Sequence, residues 1–116
     1  MKLTLKEKGP IHILVVADKV DRAGVDSLAL FFQGYAKRGL HDLVLDLSET
    51  QSLVSAAFGL ILSQLDAFDK AGKRIVIFSP NEKVTTLLER MGVPESIPVF
   101  ADRQQALDAL AAAPGP

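Results

Sequence analysis

At 116 residues the chain suits one domain around one core, and 48% hydrophobic with 23% charged residues is the balance of a globular protein. With 13 basic and 14 acidic residues the formal net charge is −1, which offers no broad electrostatic footprint for nucleic acid or an anionic membrane. The absence of cysteine excludes disulfides, thiolate zinc sites and cysteine nucleophiles.

Met1 to Glu7 lacks the apolar centre of a signal peptide. No uninterrupted apolar stretch is longer than Ile13 to Ala17, far short of a membrane span, so a cytoplasmic protein without membrane insertion is expected. Leu3 and Leu5 alternate with polar residues as in a half-buried strand, Gly9-Pro10 punctuates, and Ile11 to Ala17 reads as a second strand. The short separation predicts an antiparallel hairpin. After Asp21 the period changes: Val25, Leu28, Ala29, Phe32, Tyr35 and Ala36 recur at helical spacing until Gly39, with Leu30 off the stripe. Leu43 to Leu47, apolar but for Asp46, has the pattern of a strand buried on both faces.

A second helix is predicted from the region of Ser55 to Gly72, burying Phe58, Ile61, Leu62, Leu65 and Phe68. Arg74 to Phe78 is a further buried strand. Ser79-Pro80-Asn81-Glu82 has the form of a capping box for a third helix carrying Val84, Leu87, Leu88 and Met91. Ile97 to Phe100 fits an edge strand because of Pro98, and Asp102 with Gln105 opens a last helix carrying Ala106, Leu107 and Leu110. The order β-β-α-β-α-β-α-β-α predicts an α/β fold: one domain over 1–112, with a mainly parallel sheet, an N-terminal antiparallel hairpin and flanking helices. Residues 113–116 read as a flexible tail.

Catalytic machinery is sparse. His12 and His41 have no second histidine at ligand spacing, so neither a metal nor another cofactor is expected, and a structural or solvated role suits both. No glycine-rich phosphate loop is present, and Ser55 lies outside any Gly-x-Ser-x-Gly elbow. Asp21 suits a helix cap and Asp46 a structural acceptor within a buried strand. A non-enzymatic role is expected.

Three stretches make the chain resemble a STAS domain, the fold of bacterial anti-sigma factor antagonists and of the cytoplasmic tails of sulfate transporters. Asp18-Lys19-Val20-Asp21 resembles the family's Gly-x-Leu-Asp, leading from the second strand to the first helix. Leu45-Asp46-Leu47-Ser48 resembles its Leu-Asp-Leu-Ser. Ser79-Pro80, Val84, Leu87-Leu88, Met91-Gly92-Val93, Pro98-Val99-Phe100 and Ala106-Leu107 resemble its C-terminal pattern.

The family's regulatory motif is Asp-Ser-x-Gly-x-Gly at the start of the second helix. Its serine falls on Ser55 and its second glycine on Gly59, while Val54 replaces the aspartate and Ala57 the first glycine. The resemblance implies an anti-sigma factor antagonist in a partner-switching system. There a serine kinase that doubles as the anti-sigma factor phosphorylates the serine, and a phosphatase resets it. The implied partner-binding residues are Asp18, Asp21, Arg22, Leu53, Val54, Ser55, Ala56, Ala57 and Phe58, with Ser55 the phosphorylation candidate. The loss of the aspartate and the added methyl of Ala57 weigh against phosphorylation, and the apolar stretch Leu53-Val54, Ala56-Ala57 and Phe58, where its outer part is exposed, favours a permanent contact over a charge-gated one. On that alternative the domain is an accessory subunit of a lipid-transport ABC system, held against its ATPase, or part of a stress-signalling scaffold. Ser55 also has a plain reading as a helix N-cap. An aspartate phosphoacceptor centred on Asp46 is a third reading.

Overall fold

Ile11, Ile13 and Val15 face one side of the second strand, and Leu14 and Val16 the other, so this strand divides the core in two. The computed structural model describes residues 1–112; the tail expected at 113–116 lies outside the described residues. In chain order the elements are β1 (Lys2–Lys8), β2 (Ile11–Val20), α1 (Arg22–Arg38), β3 (Asp42–Asp46), β4 (Thr50–Leu53), α2 (Ser55–Ser63) and α3 (Leu65–Lys70). Then come β5 (Ile75–Phe78), α4 (Glu82–Arg90), a 3-10 turn at Val93–Glu95, β6 (Val99–Phe100) and α5 (Arg103–Ala111).

The sheet runs β1-β2-β3-β5-β6, with β1 and β2 antiparallel and the other pairs parallel. This is the expected α/β architecture. On one face, Leu14, Leu43, Leu45 and Ile77 pack beneath Leu28 and Phe32 of α1, Phe58 and Ile61 of α2, Phe68 of α3 and Val84 and Leu88 of α4. On the other, Val15, Val44, Val76 and Phe78 are covered by α5 through Ala106, Leu107 and Leu110.

Several local expectations need correction. Strand β2 runs on to Val20, past Ala17, and its end pairs with β4, an element the apolar pattern does not mark. Thr50 explains the junction: its buried hydroxyl donates to the Val16 carbonyl at 2.7 Å, where β2 has parted from β3. A register shift follows between Asp18 and Lys19, and Asp18 has φ 71, the left-handed region. The family's glycine stands at this position, and Asp18 adopts the backbone that glycine takes readily.

The second helix divides at Gln64. Ser63 Oγ and Gln64 Nε2 both donate to the Leu60 carbonyl, at 2.6 and 3.2 Å, competing with the helical ladder. Helix α4 is capped by Asn81, whose Oδ1 accepts from Lys83 N–H at 2.9 Å, and not by Ser79, which is buried and hydrogen-bonded to Thr85. Met91, placed on that helix's apolar stripe by spacing, is the exposed C-cap. Strand β6 is the edge that Pro98 implies, but it starts at Val99 because Ile97 turns into the core.

Candidate functional site

Two helices begin side by side at one pole of the molecule. Asp21 caps α1 by accepting from Gly24 N–H at 2.9 Å, as its position in the sequence implies. The Val54 N–H donates to the Val20 carbonyl at 3.0 Å, which ties the start of α2 to the end of β2. The starts of α1 and α2 therefore flank a shallow groove of about 570 Å³, lined by Arg22, Val25, Asp26, Val54, Ser55 and Ala56.

Ser55 does not cap its helix. Val54 holds the N-cap position with extended backbone (φ −75, ψ 157) and has no side-chain group to offer. Ser55 is the first helical residue and is exposed, and its hydroxyl has no hydrogen-bond partner among the described residues. The next backbone bond, Ala57 N–H to the Val54 carbonyl at 2.9 Å, closes the first turn beneath it. The helix presents no acidic residue in that turn, so its N-terminal partial charge is uncompensated by side chains.

The nine residues implied by the family resemblance separate into three groups. Arg22, Val54, Ser55 and Ala56 line the groove. Leu53, Ala57 and Phe58 are buried and hold the turn from below rather than form its surface. Asp21 is engaged as a cap, while Asp18 lies outside the groove lining, with its N–H donating to the Glu49 carbonyl at 2.9 Å. Val25 and Asp26 were missed as groove residues. Their spacing of three and four from Arg22 puts all three on one side of α1, a signal available in the sequence. The glycine-to-alanine departure at Ala57 is accommodated without exposure, whereas Gly59 faces open space. Across 50–65 there is no ionisable residue, so α2 offers an uncharged surface with Val54, 40% exposed, at its tip.

Other candidate groups are committed elsewhere. Asp46 is 1% exposed; its Oδ1 accepts from Ser48 N–H at 2.9 Å and its Oδ2 lies 3.5 Å from Arg103 Nη2. That carboxylate is a structural acceptor closing a turn and not an open phosphoacceptor. His12 is buried with Nδ1 2.9 Å from the Tyr35 hydroxyl, and its ring stacks on His41, a pairing that sequence spacing hides. Among the described residues no group of three or more His, Asp or Glu side chains is placed to hold a metal ion. No described helix is long and apolar enough to cross a membrane.

The sequence model of the STAS domain matches residues 2–106, and the chain belongs to the STAS domain family. No curated protein sequence matches it. Among solved structures it is similar to TM1081 of Thermotoga maritima, assigned as an anti-sigma factor antagonist, with TM-score 0.86, 20% identity and 95% of each chain covered. It is also similar to an anti-sigma factor antagonist of Mycobacterium paratuberculosis, with TM-score 0.76, 16% identity, and 96% of this chain and 94% of that one covered. A third similar structure is the Bacillus cell fate determinant SpoIIAA in its phosphorylated form, with TM-score 0.69, 13% identity, and 93% and 98% covered.

Proposed function

We propose that this chain is a non-enzymatic regulatory module of the anti-sigma factor antagonist type, acting in bacterial transcription control by docking a kinase-type anti-sigma factor. One observation carries this reading. Ser55, in register with the family's regulated serine, is exposed at the first turn of α2 beside a groove that α1 helps to wall. A phosphate on its hydroxyl would meet the positive end of α2, which stabilises it, and would put about −1.5 to −2 charges onto an α2 face that carries none, in a groove whose other wall holds Arg22 and Asp26. The first effect favours the modified protein alone; the second disfavours the complex. Together they make a partner switch that a phosphatase resets.

The test is to mix the full chain with candidate kinase-type anti-sigma factors and ATP, then measure complex formation and intact mass. A complex in the absence of ATP that dissociates as one phosphate appears at Ser55 supports switching. Absence of both complex and phosphate overturns the assignment.

A second reading rests on Val54. Exposed where the family motif has an aspartate, it makes the start of α2 more apolar, and an apolar surface suits permanent docking. The partner would then be the ATPase of a lipid-transport ABC system or a stress-signalling scaffold. A stable complex that never incorporates phosphate and is unchanged by Ser55→Ala distinguishes this reading from the first.

A further inference from the structure

We propose that His12 and His41 form a proton-sensitive latch, which pins the connection between α1 and β3 to the sheet and releases it in weakly acidic solution. The latch lies at the pole opposite Ser55. His12 is the second residue of β2 and Val20 ends the strand beside Leu53, about 26 Å away at 3.3 Å per residue. It is independent of what docks at the groove.

The two imidazoles come together through the parallel register that sets Ile11 against Asp42. Their centroids are 3.9 Å apart with planes 19° from parallel, and His12 is only 8% exposed. Each of the surrounding elements contributes a group. From α1, the Tyr35 hydroxyl lies 2.9 Å from His12 Nδ1. From β1, Glu7 Oε1 lies 3.8 Å from His12 Nε2 but is largely solvated. From the connection, His41 Nδ1 lies 3.3 Å from the Gly39 carbonyl. From β3, Asp42 adds negative charge near Tyr35 and is itself 3.9 Å from Arg74, just before β5.

This arrangement holds together when both rings are neutral. With the Tyr35 hydroxyl donating to Nδ1 of His12, Nε2 carries the ring proton on the side of Glu7. Protonating His12 turns Nδ1 into a donor aimed at that hydroxyl, whose own proton must then find another acceptor. A second proton on His41 sets two cations face to face. Burial first, then the His41 charge, holds His12 below the ordinary histidine value of 6.5, with Glu7 opposing. The folded form thus binds protons less readily than the unfolded one. The contribution to stability is fully present above about pH 6.5 and is lost as pH falls through the depressed folded value.

The experiment is an NMR titration of the full chain from pH 8 to pH 5, following both histidine rings and amide exchange corrected for intrinsic rate. The expected result is that His12 titrates below the ordinary value and that protection at 39–43 falls about tenfold more than protection in β5. His41→Gln should abolish most of that differential loss while leaving the fold intact, and His12→Phe should abolish all of it. Should His12→Phe fail to fold, the His41→Gln result decides alone. The proposal is overturned if protection at 39–43 is independent of pH, or if His41→Gln retains the full response.

Discussion

The guanidinium of Arg103, at the first turn of α5, lies 3.5 Å from the buried carboxylate of Asp46 at the end of β3, and its central carbon is 5.5 Å from the Phe78 ring centroid. The side chain is half in solvent, so the ion pair is screened and the removal of Arg103 alone is mild. Arg103→Ala should cost about 0.5–1 kcal/mol. Asp46→Leu leaves the Ser48 N–H without its acceptor and should cost about 2–3 kcal/mol, while Asp46→Asn keeps that bond and falls between. Urea unfolding of the three variants checks the order. Incubation with acetyl phosphate should leave Asp46 unlabelled.

Asp18 is the one non-glycine residue with positive φ among those described. Asp18→Gly should raise stability by up to about 1 kcal/mol, the relief of left-handed strain less the entropy of a freer unfolded chain. Asp18→Val, β-branched in the same backbone, should cost about 1–3 kcal/mol. Thermal unfolding of both variants tests the sign, and a stabilised valine variant would show that the β2 end rearranges.

Ser55→Glu separates the two effects of charge at the start of α2. The free protein should gain about 0.3–1 kcal/mol from the helix dipole. Binding to the cognate partner should weaken about tenfold or more, because the carboxylate must be desolvated in the contact. Differential scanning calorimetry and titration calorimetry on one preparation read both. Equal affinity with wild type would place the partner elsewhere.

Arg74 fixes the other end of α5. Its guanidinium donates to the carbonyls of Ala109, Leu110 and Ala112 at 3.1, 2.6 and 3.0 Å, taking up groups the helix end leaves open. Arg74→Met should destabilise by about 1–2 kcal/mol and fray the last turn of α5 first. Arg74→Lys should recover only part of this, since an ammonium cannot span three carbonyls as the fork does. Amide exchange in α5, compared with α4 as an internal control, is the measurement.

The parts of this fold that announce themselves in sequence are those where one local rule decides. The continuous apolar runs of β3 and β5, the stripe of α1 and the caps Asp21 and Asp102 follow from burial or from one short-range hydrogen bond. What stays hidden is decided by partners distant in the chain. Strand β4 has no apolar alternation and exists because Thr50 and the bulged end of β2 satisfy each other. The charged Asp18-Lys19 pair reads as a loop, yet it continues the strand. At the candidate site the family register locates Ser55, but the division of its neighbours between buried support and exposed lining depends on how α2 enters the core. That depth comes from Phe58, at a position the motif leaves unspecified, and from Ile61 beyond it, both packed beneath the helix.

The uncharged run across 50–65 has a kinetic meaning for whatever docks beside it. Arg22 and Asp26 carry opposite charges on the facing wall, so their fields largely cancel beyond a Debye length of about 8 Å at physiological salt. A partner would arrive without electrostatic guidance, at an association rate of about 10⁵–10⁶ M⁻¹s⁻¹ that changes little with ionic strength. Selectivity among similar partners would then lie in how long each complex lasts, which is governed by the fit of small side chains at Ser55, Ala56 and Gly59.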